Sequence, residues 1–597
     1  MRSITFGFPF ALMAGLVAGC SSSNTASNDA GTGGDTGHHP TADAGHDTGT
    51  VKHEAGTGHD GGSKDTGVVN SDAEPPGPAP AAGSTEIVKG LTEVIGISDD
   101  NQLIYIDGTT SALYALDYLT TPLPAPVQIL AGSDAGATNG PEVGLNHNIV
   151  WVLSNYNAKN VGTVQIWSHA HPTLTTISSA STGVIAASNN SSAIVYTTGA
   201  NAGGTIGNIE GANGDGSSPM PLVTNVDIDN TASSTCIGVA LFDQAYAVVQ
   251  ACPIEDGGTT GPATITSFNS ASSWAAQVLQ TNSLPTTSYL HYTVDDAGLN
   301  ALTIGQTFHD GGPATEQISI VPLATGSGPT LTANGGAPAS TQIGGGVPVT
   351  YLNGSSTFAL FSVFNNGFNI ATFADPAAPV AIQTVIAPAV DGGAGPLSVG
   401  GLEAISPDGK WALTFGPDVD TSKQIPTSLY LQSLVPTAGA YPAPTSLSTG
   451  EDVYTLGFSA DGTYLLYSTN ATLNGIQLGQ PNGGYVGTLK TVSLAAGATP
   501  VSINLAQSIW NATGTHGTKL IYNWNYQVAP YGTQAGGFIN GSAYADIYSG
   551  DAATAAEGTV MVAQADANYY LSSDKSKIIY SFSHFAMSDG VYVVAAP

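Results

Sequence analysis

Between Glu86 and Pro597 the chain is written in short runs of four to seven residues, apolar or alternating and rich in Val, Ile, Leu, Tyr and Thr, separated by clusters of Gly, Asn, Asp, Ser and Pro. Side chains alternate across a strand with period two, whereas one face of a helix recurs every 3.6 residues. No segment sustains the helical period, so the pattern predicts an all-β body. The runs also repeat. The clearest copies are residues 404–415 (AISPDGKWALTF) and 456–467 (LGFSADGTYLLY), with weaker ones at 97–105, 294–302 and 571–580 and faint ones around Asn190, Gly354 and His516. Each reads as a hairpin. Pro at the second position presets φ for a type I turn, Asp caps its own backbone, and Gly takes the left-handed position that turns the chain back. After several hairpins a third strand follows, as at 112–116, 428–432 and 489–493.

Turn centres fall near Asp100, His147, Asn190, Gln244, Asp296, Gly354, Asp408, Asp461, His516 and Asp574, spaced by 43 to 58 residues. A four-stranded propeller blade needs about 40 to 50 residues plus loops. The Ser-Pro-Asp-Gly hairpin at Ser406–Pro407–Asp408–Gly409 resembles the repeats of TolB-like and WD40-like proteins, and that resemblance implies a β-propeller. Ten centres exceed the usual four to eight blades. One large ring is the expectation, with two smaller rings as the alternative. A pair of β-sandwiches would not explain why the hairpin returns at blade spacing.

The opening residues, MRSITFGFPFALMAGLVAGC, carry a positive charge at Arg2 and then a largely apolar run from Ile4 to Val17. That run is a signal-peptide core, too short for a permanent membrane span. Leu16 to Cys20 resembles the lipobox of bacterial lipoproteins. The resemblance implies cleavage before Cys20, acylation of its thiol, and, with Ser21 following, residence in the outer membrane. Each buried methylene contributes roughly 0.8 kcal/mol, so two or three chains anchor stably where one does not. From Ser21 to about Gly83 the chain is Gly, Asp, Thr, Ser, Ala and His with almost no large apolar side chains. Such a stretch does not offset its own ordering entropy and is expected to be a disordered tether with a reach of about 40 to 50 Å. The expected organisation is signal peptide 1–19, tether 20–85 and propeller 86–597.

Charge narrows the functions. The formal net charge is -32, and Arg2 is the only arginine. Nucleic-acid binding needs clustered cations to displace counterions from phosphates, which excludes that partner. Bidentate guanidinium recognition is likewise unavailable to the mature chain.

Candidate chemistry is sparse. Cys236 and Cys252 flank a hairpin whose loop at Asp243–Gln244–Ala245 pairs Phe242 with Tyr246, and the same register sets the two cysteines opposite each other, predicting a disulfide in an oxidising compartment. Asp227 with Asp229, and Asp418 with Asp420, offer alternate carboxylates for Ca²⁺, though neither continues as an EF-hand loop. The pair His169–Ala170–His171 has strand spacing, with Pro172 arguing for a loop. The histidines of the tether sit on no fixed backbone. There is no Gly-x-Ser-x-Gly elbow, His-Glu-x-x-His, Cys-x-x-Cys or Walker loop, and the Ser-x-x-Lys at 572–575 lies on a repeat turn, so no catalytic residue is assigned. Most tryptophans occupy strand positions where core packing is the default, with Trp510 and Trp524 flanking a weak hairpin. The functional expectation is a cell-envelope lipoprotein whose propeller binds an envelope or extracellular protein or a glycan. The alternatives are a propeller-centred lyase or glycan hydrolase and a Ca²⁺-dependent adhesin.

Overall fold

The structure is a computed structural model. It describes residues 79–90, 92–132, 141–228, 238–241, 245–254, 260–281, 291–295, 298–307, 315–326, 330–332, 351–352, 358–363, 367–372, 382–386, 402–406, 408–415, 419–420, 425–426, 428–449, 453–473, 485–495, 501–502, 512–528, 543–554, 556, 558–566, 568–582 and 589–597. Ten four-stranded antiparallel sheets follow one another along this part of the chain. The only helical element among the described residues is one 3₁₀ turn, Ser270–Ser272.

Sheets 1 to 9 take their four strands in chain order, consecutively in all but sheet 7, and span 92–130, 142–181, 184–227, 238–281, 291–332, 351–386, 402–449, 453–502 and 512–566. Sheet 7 carries an extra two-stranded hairpin, Val419–Asp420 with Ile425–Pro426. Sheet 10 takes Tyr569–Leu571, Lys577–Phe582 and Gly590–Ala595 from the end of the chain, and its fourth strand is Thr85–Lys89 from the beginning. Each sequence-derived turn centre falls between the first and second strands of one sheet. Three of them, Gln244, Asp296 and Gly354, lie outside the described residues, but the strands on either side pair in each case.

Neighbouring sheets pack in chain order and the order closes on itself. The first strand of sheet 1, Thr92–Ile97, touches the first strands of sheet 2, Glu142–Asn146, and of sheet 10, Tyr569–Leu571. The same first-to-first contact joins Val184–Ala187 to Gly238–Leu241, His291–Val294 to Tyr351–Leu352, and Val453–Phe458 to Ala512–Gly514. Apolar clusters fill the seams between successive sheets, for example Ile104, Leu113 and Val150 between sheets 1 and 2, and Ile579, Val591, Leu103 and Leu116 between sheets 10 and 1. First strands therefore form an inner ring, and the architecture is a single ten-bladed β-propeller rather than two rings.

Radial stacking explains the runs that do not alternate. Second strands such as Ala193–Thr198 and Lys577–Phe582 are covered on both faces and read as continuous apolar sequence. Fourth strands such as Val127–Leu130 and Met220–Asp227 are partly exposed, at the edge of their sheets. Ring closure rests on Thr85–Lys89 pairing with Gly590–Ala595, Glu86 opposite Tyr592. Just before it, Ala81 N donates to Tyr580 Oη (2.9 Å) and Ser84 Oγ lies 2.7 Å from the same oxygen. Ala81, Ser84 and Thr85, assigned above to the tether, thus belong to the ring. Their small side chains carry no strand pattern; main-chain and hydroxyl groups make the hydrogen bonds, and Ala81 packs against the apolar cluster around Tyr580.

Candidate binding ends of the ring

In an up-and-down sheet the first-to-second and third-to-fourth connections share one end, and the second-to-third connections lie at the other. The first end is built on a repeated serine. Ser406 Oγ donates to Asp408 Oδ1 (2.6 Å) and accepts from Trp411 N (3.0 Å); Ser459 does the same with Asp461 (2.7 Å) and Tyr464 N (3.0 Å), and Ser572 with Asp574 (2.7 Å) and Lys577 N (2.9 Å). Ser98 and Ser188 repeat the arrangement with Asp100 and Asn190. In blade 5 the buried Asp295 takes the serine's place, accepting from Leu299 N (2.8 Å) and Asn300 N (3.1 Å). The left-handed position three residues after the serine is Gly409 or Gly462 where the motif is strong, and Asn101, Ser191 or Lys575 elsewhere. Pro, Asp and Gly mark the turn in sequence; the serine that fastens it, nearly inaccessible in every copy, is a functional part that the pattern alone does not single out.

Burial works against ionisation of Asp408 and Asp461, yet the hydroxyls of Ser406 and Ser459 and the amides that follow outweigh it and hold both carboxyls below the ordinary aspartate range. At Asp574 the Ser572 hydroxyl leads, joined by Ser576, in the same direction.

These turns also hold one another. Asp461 N donates to Gly517 O (3.3 Å) from blade 8 to 9, and Lys575 Nζ to Gly514 O (3.3 Å) from 10 to 9. Ser573 N and Oγ both reach Asn101 Oδ1 (3.0 Å) from 10 to 1. Asp100 N donates to Asn148 Oδ1 (2.8 Å) and His147 Nδ1 lies 3.0 Å from Asp99 Oδ2, from 1 to 2, while Asn148 N donates to Ser191 Oγ (3.1 Å), from 2 to 3. A hydrogen-bonded rim therefore runs through six blades. Gly514 is required there, since a Cβ would sit 2.4 Å from Ala460 N of the next turn.

The opposite end differs in blades 8 and 9. Their second strands, Tyr464–Leu473 and Lys519–Val528, are ten residues long, against five to eight in the other blades, and their third strands, Tyr485–Ser493 and Ala543–Asp551, are nine. Each ladder is interrupted once. In blade 8 the register shifts between Thr469 and Thr472, and in blade 9 between Trp524 and Gln527. Counted along the second strand the two shifts coincide, five residues after Tyr464 and after Lys519, and each leaves an Asn as its first extra residue, Asn470 and Asn525. A β-bulge at a shared position in neighbouring blades bends both ladders. Next to these bulges, buried polar atoms have no hydrogen-bond partner: Thr469 Oγ1, and both Nδ2 and Oδ1 of Asn523. Buried polar groups in folded proteins are almost always satisfied, so such exceptions mark functional or hydrated places.

The residues singled out from sequence are scattered. Cys20, Cys236, Asp229, Asp418 and Trp510 lie outside the described residues. Asp227 ends the outer strand of blade 3, and Asp420 belongs to the small hairpin of blade 7. Among the described residues no group of three or more His, Cys, Asp or Glu side chains gathers as a metal site. His169 sits in an exposed turn and His171, also exposed, opens the outer strand of blade 2. The Ser572–Lys575 segment is one of the inner turns. Trp167 is buried in a third strand, and Trp274 lies in a turn, buried over Gly211. The strands around Gln244 take the register inferred from the cysteine spacing, Gly238 opposite Gln250 and Leu241 opposite Ala247, with Cys252 buried just beyond.

No known family profile matches the chain, and no curated protein sequence does. Solved structures similar to it include the tricorn protease, at 11% identity and a TM-score of 0.27 over 85% of this chain and 52% of that one. A eukaryotic initiation factor is similar at 12% identity and a TM-score of 0.40, covering 71% and 90%. The β-propeller domain of the Trilobed protease from Pyrococcus furiosus is similar at 10% and 0.29, covering 70% and 97%. The chain spans about half the length of the tricorn protease. Likeness at this level is one of fold alone.

Proposed function

We propose that this protein is a cell-envelope lipoprotein, anchored through acyl chains on Cys20, whose propeller is a binding module that engages its partner at the end carrying the bulged ladders of blades 8 and 9. The observation that carries the binding reading is the contrast within those two blades: coincident bulges with unsatisfied buried polar atoms at one end, and fully bonded turns at the other. A rigid ring presenting a few modified connections is the usual way a repetitive scaffold acquires a ligand. The lipobox resemblance at Leu16–Cys20 supports the anchor, and the Ser-Pro-Asp-Gly repeats support a TolB-like role in envelope contacts. Metabolic labelling with an alkyne fatty acid tests the anchor. Label is expected on the wild-type chain and absent from Cys20→Ala, and equal labelling of both would remove it.

The same reading sets Cys236 and Cys252 in a disulfide across one hairpin of blade 4. The observed register of that hairpin and the burial of Cys252 support it. Peptide mapping without reductant is expected to recover the two cysteines in one cross-linked species; two alkylatable thiols would overturn the assignment.

A further inference from the structure

We infer that the connection between the third and fourth strands of blade 1, Leu119 to Val127, is a docking segment for a protein partner that offers a groove lined by aromatic side chains. It stands at the end of the serine turns and does not depend on the bulged ladders at the other end. The sequence there is LTTPLPAPV, and no charged residue occurs from Tyr118 to Gly132 on a chain of net charge -32. Every residue from Leu119 to Gln128 is exposed. Three of the eight exposed large apolar side chains among the described residues fall within this connection: Leu119 at 41%, Leu123 at 40% and Val127 at 44%. Apolar exposure gathered in one place, rather than scattered singly, marks an interaction surface.

The segment is ordered in advance of binding. Proline fixes its own φ and biases the residue before it to extended backbone, so the alternation at Pro122, Pro124 and Pro126 holds Leu123 and Ala125 close to polyproline II. Both ends are pinned. Leu119 N and Thr120 N donate to Asp117 Oδ1 (3.1 and 3.2 Å), and Thr120 Oγ1 donates to Asp117 Oδ2 (2.6 Å). Tyr118 Oη donates to Asn101 Oδ1 (3.2 Å), the oxygen that also receives Ser573. At the other end Val127 pairs with Ala115, and Ile129 is buried in the seam with blade 2. Blade 7 supplies the contrast. Its connection enters the fourth strand through the same Pro-Ala-Pro, residues 442–444, but there Pro442 O accepts from Gln432 Nε2 (2.9 Å), and Leu434 and Tyr441 are buried. No described residue hydrogen-bonds the stretch from Pro122 to Ala125 in blade 1.

Proline lacks an N–H, so the segment exposes ring faces, the Leu123 side chain and main-chain carbonyls. Tyr and Trp are the complement: their flat faces pack on the pyrrolidine rings while a phenol or indole donates to a carbonyl, the mode by which grooves read polyproline II. A segment already held in that shape loses little freedom on docking. A second copy of the chain offers no such groove among the described residues, where no Phe, Tyr or Trp side chain is exposed. Docking on a lipid surface is favoured by basic residues beside the apolar ones, and the nearest charge in sequence is Asp117.

Photo-crosslinking of the full chain in cells that make it tests this, with p-benzoylphenylalanine in place of Ala125 as the probe. Irradiation is expected to yield an adduct whose cross-linked peptide, mapped by mass spectrometry, comes from a different protein and carries Trp or Tyr at or beside the site of attachment. Adding Leu123→Asp is expected to lower the yield about tenfold, and Pro124→Ala, which frees the backbone and keeps the apolar side chain, about threefold. Both positions are exposed, so both variants are expected to keep the wild-type melting temperature. The same probe in place of Ala443, in the tied connection of blade 7, is expected to give none of that adduct. The inference is overturned by no adduct, or by an adduct with lipid, with a second copy of this chain or with a partner segment that lacks aromatic residues. A yield indifferent to both substitutions, or an equal yield from Ala443, overturns it as well.

Discussion

Blades 8 and 9 are built from the same few strands at both ends, yet the ends use their polar groups in opposite ways. At the inner turns each buried serine both gives and receives a hydrogen bond, and the turns are tied to their neighbours. Ten residues after Ser459, and five into the second strand from Tyr464, Thr469 is as buried as that serine and its hydroxyl has no hydrogen-bond partner. The first arrangement serves the fold. The second costs stability that a purely structural sequence would recover by placing an apolar residue there, which is the physical reason to assign ligand contact to that end.

The largest expected effect concerns the ring as a whole. Tyr580 packs against Phe582 and Tyr592 and holds the chain ahead of the closing strand through its hydroxyl. Tyr580→Ala is expected to cost about 3–5 kcal/mol in denaturant unfolding, and Tyr580→Phe, which removes only the hydroxyl, about 1–2 kcal/mol. A null result for Tyr580→Ala would mean that closure depends little on this seam. The next prediction addresses the contrast between the two ends directly. Ser459→Ala leaves Tyr464 N without its partner and is expected to cost about 1–3 kcal/mol, whereas Thr469→Val is expected to be neutral or stabilising. Equal destabilisation by both substitutions would erase the distinction drawn here.

The smallest effect is on pH dependence. Asp408, Asp461 and Asp574 have folded carboxyls held below the ordinary value of about 3.9. A depressed folded value contributes stability above the unfolded value and loses it as pH falls through the folded one. The melting temperature is therefore expected to decline below about pH 4, and Asp574→Asn is expected to flatten that decline slightly. An acid limb unchanged in Asp574→Asn would show that this turn contributes nothing to it.

The inner hairpins were legible because a turn is a local event: Asp, Gly and their spacing are contiguous in sequence, and all ten turn centres fall between paired first and second strands. The closing strand was only half legible. Thr85–Lys89 has a partner some 500 residues away, and nothing local marks which strand it joins. The bulges were invisible for a different reason. A bulge is a difference in length between two paired strands, and a single run such as Trp524–Asn525–Tyr526–Gln527 keeps its own pattern whether or not its neighbour is shorter. Ser459 and Thr469 are both small hydroxyl residues in β-rich sequence, and only the geometry separates a bonded side chain from an unbonded one.

Because the first strand of the propeller is also the last piece of blade 10, mechanical load and ring integrity share one element. Any pull transmitted through the residues before Ala81 reaches the ring at the Tyr580 hydroxyl and then along the ladder between Thr85–Lys89 and Gly590–Ala595. A force along the strand axis shears all rungs of that ladder together instead of peeling them singly. That junction is thereby loaded in the direction in which an edge strand resists best, and its failure would unclasp the whole circle.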